Sequence, residues 1–171
     1  MLFEQLVKHV IQEIGLACES RTVSIPIAGY SDASMSYELD VVISRGKAIV
    51  TSEDALIKAN EIVGSIKTTS KDRIDKIFLD KYMMSKLLGR SVPVIAVFLH
   101  DVQRAKKRGS IFGINSTFKR NHFMGYTYAL NRLDGVYYVD PRPDMVNNAT
   151  LSQEISNFGK LITNDLWNLV K

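Results

Sequence analysis

A single cysteine, Cys18, in 171 residues excludes an internal disulfide framework and leaves too few thiolates for a cysteine-based zinc centre. That scarcity fits a reducing compartment. No apolar run approaches the roughly 20 residues of a membrane-spanning helix. The start, Met1-Leu2-Phe3-Glu4-Gln5, puts an acid where a secretion signal carries basic residues. A cytoplasmic chain with no membrane partner is expected. No glycine-rich loop leads into Lys-Ser or Lys-Thr in the Walker pattern, so no nucleotide cofactor or ATP-driven motor is expected. The length of 171 residues and the lack of any repeat or low-complexity linker predict one domain over residues 1–171.

The composition, 46% hydrophobic and 23% charged, supports an ordinary buried core. The net charge of +4 is too small to predict polyanion binding, so local clusters must carry that argument. Arg104, Lys106, Lys107 and Arg108 form one cluster, and Lys119 and Arg120 begin another. Between them lie Gly109, Gly113, Asn115, Ser116 and Thr117, small and hydrogen-bonding residues that let a backbone approach phosphates and base edges. Arg104, Lys106, Lys107, Arg108, Asn115, Lys119 and Arg120 are therefore the expected DNA contacts.

Apolar residues at three- and four-residue steps predict an opening helix through Glu19, with Cys18 buried on it. Residues Ser20 to Ser36, punctuated by Pro26, Gly29, Ser31, Asp32 and Ser34, read as loop with at most a short strand at Val23 to Ile27. Leu39 to Ile43 and Lys47 to Thr51, separated by Ser44-Arg45-Gly46, read as a hairpin. A helical turn is predicted at Glu53 to Asn60, a central strand at Glu61 to Thr68, and a helix from Asp72, as its cap, to Leu88 before Gly89. The run Val92 to Leu99 reads as a strand buried on both faces. A helix near Phe123 to Leu133, a strand at Val136 to Val139 and a closing helix from Leu151 to Val170, with Trp167 in the core, complete a mixed α/β order.

Asp40 lies between Leu39 and Val41 in an apolar strand, where an unpaired charge is costly. Lys67 ends the apolar strand Ile62 to Ile66 as the chain turns into a helix, the end at which α/β sheets place their sites. On that helix Arg73 and Asp80 are seven residues apart and share a face with Ile77 and Met84. Carboxylates converging on a lysine suit metal-assisted phosphodiester hydrolysis.

Asp40, then Ser65-Ile66-Lys67, then a helical acid resembles the PD-(D/E)XK nuclease superfamily. Lys67-Thr68-Thr69-Ser70-Lys71-Asp72-Arg73 resembles the Lys-Thr-Thr-x-Lys-Asp-Arg stretch of one group of type II restriction endonucleases. The resemblance spans roughly Glu38 to Leu99. It implies a restriction-endonuclease-like α/β fold, with a mixed central β-sheet flanked by α-helices, and a homodimer that cuts double-stranded DNA. It also implies Mg²⁺, with Mn²⁺ as a substitute, held by Asp40, Asp80 and the Ile66 carbonyl, with Lys67 and Arg73 as catalytic partners. Ser65 stands where the usual motif has an acid, which makes Asp80 the second acid, and Leu39 stands where it has proline. Asp54 rivals Asp40 for the first acid, with Glu38 and Asp75 as further candidates. The same fold also accommodates a structure-selective or repair nuclease, or a DNA-binding domain without catalysis.

Overall fold

The computed structural model describes residues 2–53, 57–104 and 114–170, with 103, 104 and 114–116 by backbone alone. Helix α1 (Leu2–Glu13) buries Val7 and Ile11 along its apolar stripe. It stops six residues before Glu19, because Gly15 adopts φ 94°, a turn conformation that breaks the helix. Strand β1 (Ala17–Pro26) follows, so Cys18 is buried on a strand rather than a helix.

Strand β2 (Ser34–Ser44) pairs antiparallel with β1. The loop-forming residues of the sequence crowd the connection between the two strands, where Gly29 and Asp32 take positive φ, and do not extend along the whole segment. Lys47 to Thr51 forms no strand. The Val50 and Thr51 amides instead donate to the buried Glu61 carboxylate at 2.6 and 3.0 Å, a local partner that replaces a ladder. Residues 57–60 form no helix, and 54–56 lie outside the described residues.

Strand β3 (Ile62–Thr69) pairs antiparallel with β2 and parallel with β4 (Val94–His100). Helix α2 (Ile74–Leu88) makes the crossover between β3 and β4. Asp72 does not cap it. Asp72 sits at φ 53°, exposed and paired with Lys71, while the Ser70 carbonyl accepts from the Arg73 and Ile74 amides. This turn delays the first helical residue to Ile74. Gly89, at φ 66°, closes the helix as expected.

Strands β5 (Val102–Arg104) and β6 (Ile114–Ser116) form a separate two-stranded ribbon. Helix α3 (Arg120–Gly125) runs into a π-helical stretch at Tyr126–Leu130, then β7 (Gly135–Tyr138) and the short α4 (Pro143–Asn147). The expected closing helix is split. Ile155, buried and β-branched, leads strand β8 (Ile155–Asn157) onto β7. The Asn157 side chain then accepts the Lys160 amide to start α5 (Phe158–Lys160), which continues through Leu161–Asp165 into α6 (Leu166–Leu169). Trp167 is 36% exposed, under the Arg45 guanidinium, rather than in the core.

The main sheet has the order β1-β2-β3-β4-β7-β8, antiparallel through β3 and parallel beyond it. Each face carries its own core. Val23, Val42, Phe78, Phe98, Phe123 and Tyr138 pack together on the side of α2 and α3. Val7, Ile11, Ile43, Ile66, Val97 and Leu166 pack on the side of α1 and α6. Residues of β4 alternate between these clusters, so the strand is buried on both faces as its sequence predicts. Each fully buried phenylalanine contributes about 1.5–3 kcal/mol through the apolar area removed from water.

Candidate active site

The ladder between β2 and β3 ends at the pair Val41 and Gly64. A Cβ on Gly64 would lie 2.5 Å from a Val41 methyl, so the absence of a side chain permits the close approach. On the other edge of β2, Glu19 faces Val42 and Arg21 faces Leu39, so Ser20 alone opposes Asp40 and Val41. This is a β-bulge with its extra residue on β2. It shifts the alternation of the strand: Tyr37, Leu39 and Val42 join one core while Val41 joins the other.

The bulge aims Asp40 at the gap where β3 departs. One oxygen of its carboxylate, Oδ2, accepts from the Ile66 amide at 2.8 Å, the Ser65 hydroxyl at 3.2 Å and the Lys67 ammonium at 2.6 Å. In a strand the N–H and C=O of one residue share an edge, so the Ile66 carbonyl faces the same gap. The ion pair remains partly open to solvent, with side-chain exposures of 29% for Lys67 and 18% for Asp40. In the sequence Ser65 stands only as a missing acid. Its hydroxyl is a hydrogen-bond donor to Asp40.

Asp40 and Ser65 line a cleft of about 620 Å³ that Asp80, Lys76, Ile77 and Met84 close from α2. Ile77, Asp80 and Met84 share a helical face as expected, and Asp80 stands in the same cleft as Asp40, whereas Arg73 precedes the helix and does not line the cleft. One Asp80 oxygen pairs with Lys76, one turn earlier, at 2.5 Å. The four-residue spacing of Lys76 and Asp80 was the available signal for that partner, which sequence reasoning passed over. The Tyr37 hydroxyl lies above its ordinary pKa, first through burial and then through the charge of Asp80. Lys67 does not itself line the cleft and meets it through Asp40.

The sequence matches no protein-family model and no curated protein. Among solved structures, the chain is similar to the type IIP restriction endonuclease Kpn2I, with a TM-score of 0.58 and 20% identity. The match covers 76% of this chain and 39% of that one. It is equally similar, at a TM-score of 0.58 and 11% identity, to the restriction endonuclease PspGI in complex with substrate DNA. That match covers 98% of this chain and 59% of the other. The chain has the restriction-endonuclease-like fold. It spans 39% and 59% of the lengths of these two proteins.

On this restriction-endonuclease-like sheet the remaining candidates are spread unevenly. Arg73 is exposed at the start of α2 and its side chain makes no hydrogen bond or ion pair among the described residues. Glu38 lines the Asp40 cleft. Asp75 instead borders a small recess with Lys71 and Lys119, near the carboxyl end of β3. Lys119 and Arg120 are exposed at the start of α3. Arg104 and Asn115 lie on the β5–β6 ribbon, whereas Lys106, Lys107, Arg108 and Asp54 fall outside the described residues. His100 accepts the Val102 amide at 3.3 Å and so shapes the turn after β4. Tyr126 stacks on Phe78 and Tyr138 is fully buried, while Tyr128 is exposed. No helix among the described residues is long and apolar enough to cross a membrane.

The oxygen donors that line the cleft, the Glu38, Asp40 and Asp80 carboxylates and the Ser65 hydroxyl, form with the neighbouring Ile66 carbonyl a hard set suited to Mg²⁺ or Mn²⁺. Among the described residues no three acid, histidine or cysteine side chains gather as a metal cluster. Asp40 and Asp80 alone would suit an ion that retains waters and takes phosphate oxygens, as Mg²⁺ usually does.

Proposed function

We propose that this chain is a Mg²⁺-dependent endonuclease that hydrolyses phosphodiester bonds in double-stranded DNA at a specific sequence, in the manner of type II restriction enzymes. The observation that carries this reading is the Asp40–Lys67 pair, held at 2.6 Å where β2 and β3 part, with Asp80 in the same cleft. The fold, similar to Kpn2I and to PspGI bound to its substrate DNA, supports it.

In this mechanism Asp40, Asp80 and the Ile66 carbonyl would hold the divalent ion. The ion, when bound, neutralises charge at the scissile phosphate and lowers the pKa of water. Lys67 would exchange its bond to Asp40 for one to the attacking water, which the ammonium orients; it could take that water's proton only after giving one of its own to solvent. Ser65 keeps its hydroxyl on Asp40 and fixes the carboxylate orientation. Arg73 braces a phosphate, while the ribbon residues and Lys119 and Arg120 contact the duplex backbone.

The test is incubation of plasmid and phage DNA with protein and Mg²⁺, followed by sequencing of the product ends, beside Lys67→Ala and Asp80→Ala. Discrete ends from the unmodified chain and none from the variants are expected. Cleavage undiminished in both variants would remove the proposed site. Cutting only at junctions or lesions would favour a structure-selective or repair nuclease, and binding without cutting would favour a non-catalytic DNA-binding domain.

A further inference from the structure

The bulge that aims Asp40 has a brace of its own on the edge facing β1. An extra residue in one strand leaves main-chain groups without a cross-strand partner. Here the Ser20 hydroxyl donates to the Asp40 carbonyl at 2.8 Å. The Lys8 ammonium, reaching across from α1, donates to the Ser20 oxygen and also pairs with Glu4 at 2.5 Å.

The directions of these bonds are fixed by chemistry. A carbonyl only accepts and an ammonium only donates, so the single Ser20 proton is committed to Asp40. The positive charge on its lone pair strengthens that donation. Glu4, Ser20 and Asp40 border a recess of about 310 Å³, and Ser20 itself is exposed. A hydrogen bond this open to water adds little to global stability. Its leverage is on the orientation of one residue. The Asp40 carbonyl is tied to Ser20 on one edge of β2 while its carboxylate is tied to Ile66, Ser65 and Lys67 on the other.

We propose that Ser20, held by Lys8, is a positioning residue that acts through the main chain of Asp40 to set its carboxylate against Ile66 and Lys67. The consequence for cleavage rests on the nuclease reading above, but the geometric claim can be measured without metal or DNA. The experiment is amide hydrogen exchange by NMR on the full chain, with Ser20→Ala, Ser20→Thr and Lys8→Gln. The Ile66 amide, which donates to Asp40, should exchange roughly tenfold faster in Ser20→Ala, as expected for a weakened hydrogen bond. The Val63 amide, which donates to the Pro93 carbonyl on the β4 side, should not change. Ser20→Thr should restore protection at Ile66, and Lys8→Gln should lose it in part.

In DNA cleavage the same variants should lower kcat and leave KM unchanged, with Ser20→Thr recovering the rate. Unchanged Ile66 exchange in Ser20→Ala overturns the proposal whether or not DNA is cut, and so does faster exchange throughout the sheet. A selective Ile66 effect in a chain that never cleaves DNA keeps the brace and removes the nuclease reading. If Ser20→Ala does not fold, Lys8→Gln carries the same comparison, with selective loss of Ile66 protection for the proposal and none against it.

Discussion

At Asp40 a single oxygen serves three donors, so charge and geometry can be separated by substitution. Asp40→Asn retains an acceptor for the Ile66 amide but loses the negative charge that pairs with Lys67 and that the proposed divalent ion would need. A partly exposed ion pair contributes on the order of 1 kcal/mol or less, so the melting temperature should move by only a few degrees. Cleavage should fall by about 10²-fold or more, the scale of losing a charge aimed at the reacting phosphate. Thermal melting beside a plasmid assay checks both. A large loss of stability would mean that the carboxylate is a structural anchor. Cys18 offers a pH dependence at the same scale. Burial raises its thiol from 9.0 to about 12, so the folded chain keeps it neutral where the unfolded chain ionises it. The stability this contributes is complete below pH 9 and declines as pH rises toward 12. Urea denaturation from pH 8 to 11 should show a steeper decline for the native chain than for Cys18→Ala, and the folded thiol should resist alkylation at pH 8.

At the level of elements, the close approach of β2 and β3 depends on Gly64. An added Cβ meets Val41 at 2.5 Å, and Val41 is buried and stiff at χ1. Gly64→Ala should cost about 1–3 kcal/mol in chemical denaturation, the usual range for overpacking. Combining it with Val41→Ala should cost less than the two losses added, whereas additive losses would show that the strands yield elsewhere. The β3-α2-β4 crossover was legible because apolar runs, helical spacing and Gly89 all agree there. The β1–β2 hairpin was legible only in part: Leu39 to Ile43 and a short strand from Val23 read as strands, but the loop-forming residues between them hid the rest, and Leu39 to Ile43 pairs with β1 rather than with Lys47 to Thr51. Lys47 to Thr51 has strand composition, but its Val50 and Thr51 amides bond to Glu61, a partner that no local pattern reveals. The site was legible to the same degree. Lys67 and the helical face of Asp80 follow from spacing along one element, whereas Ser20, Lys8 and the donor role of Ser65 arise only when separate elements meet.

For the whole molecule the constraint comes from the duplex proposed as its substrate. One chain brings one Asp40–Lys67 pair, and one such pair serves one phosphodiester at a time, while a duplex presents two strands of opposite polarity. Two copies related by a two-fold axis would present two sites with the relation that the strands themselves have. The homodimer proposed for cutting both strands therefore makes a prediction about concentration. Above its dissociation constant the protein should convert supercoiled plasmid directly to linear product within one encounter. On dilution, monomers should nick, and open circles should accumulate before linear DNA. Sedimentation velocity over the same concentrations should show the dimer dissociating where the products change. A product ratio independent of concentration, together with sedimentation as a monomer throughout, would exclude the dimer and leave each strand to be cut in a separate event.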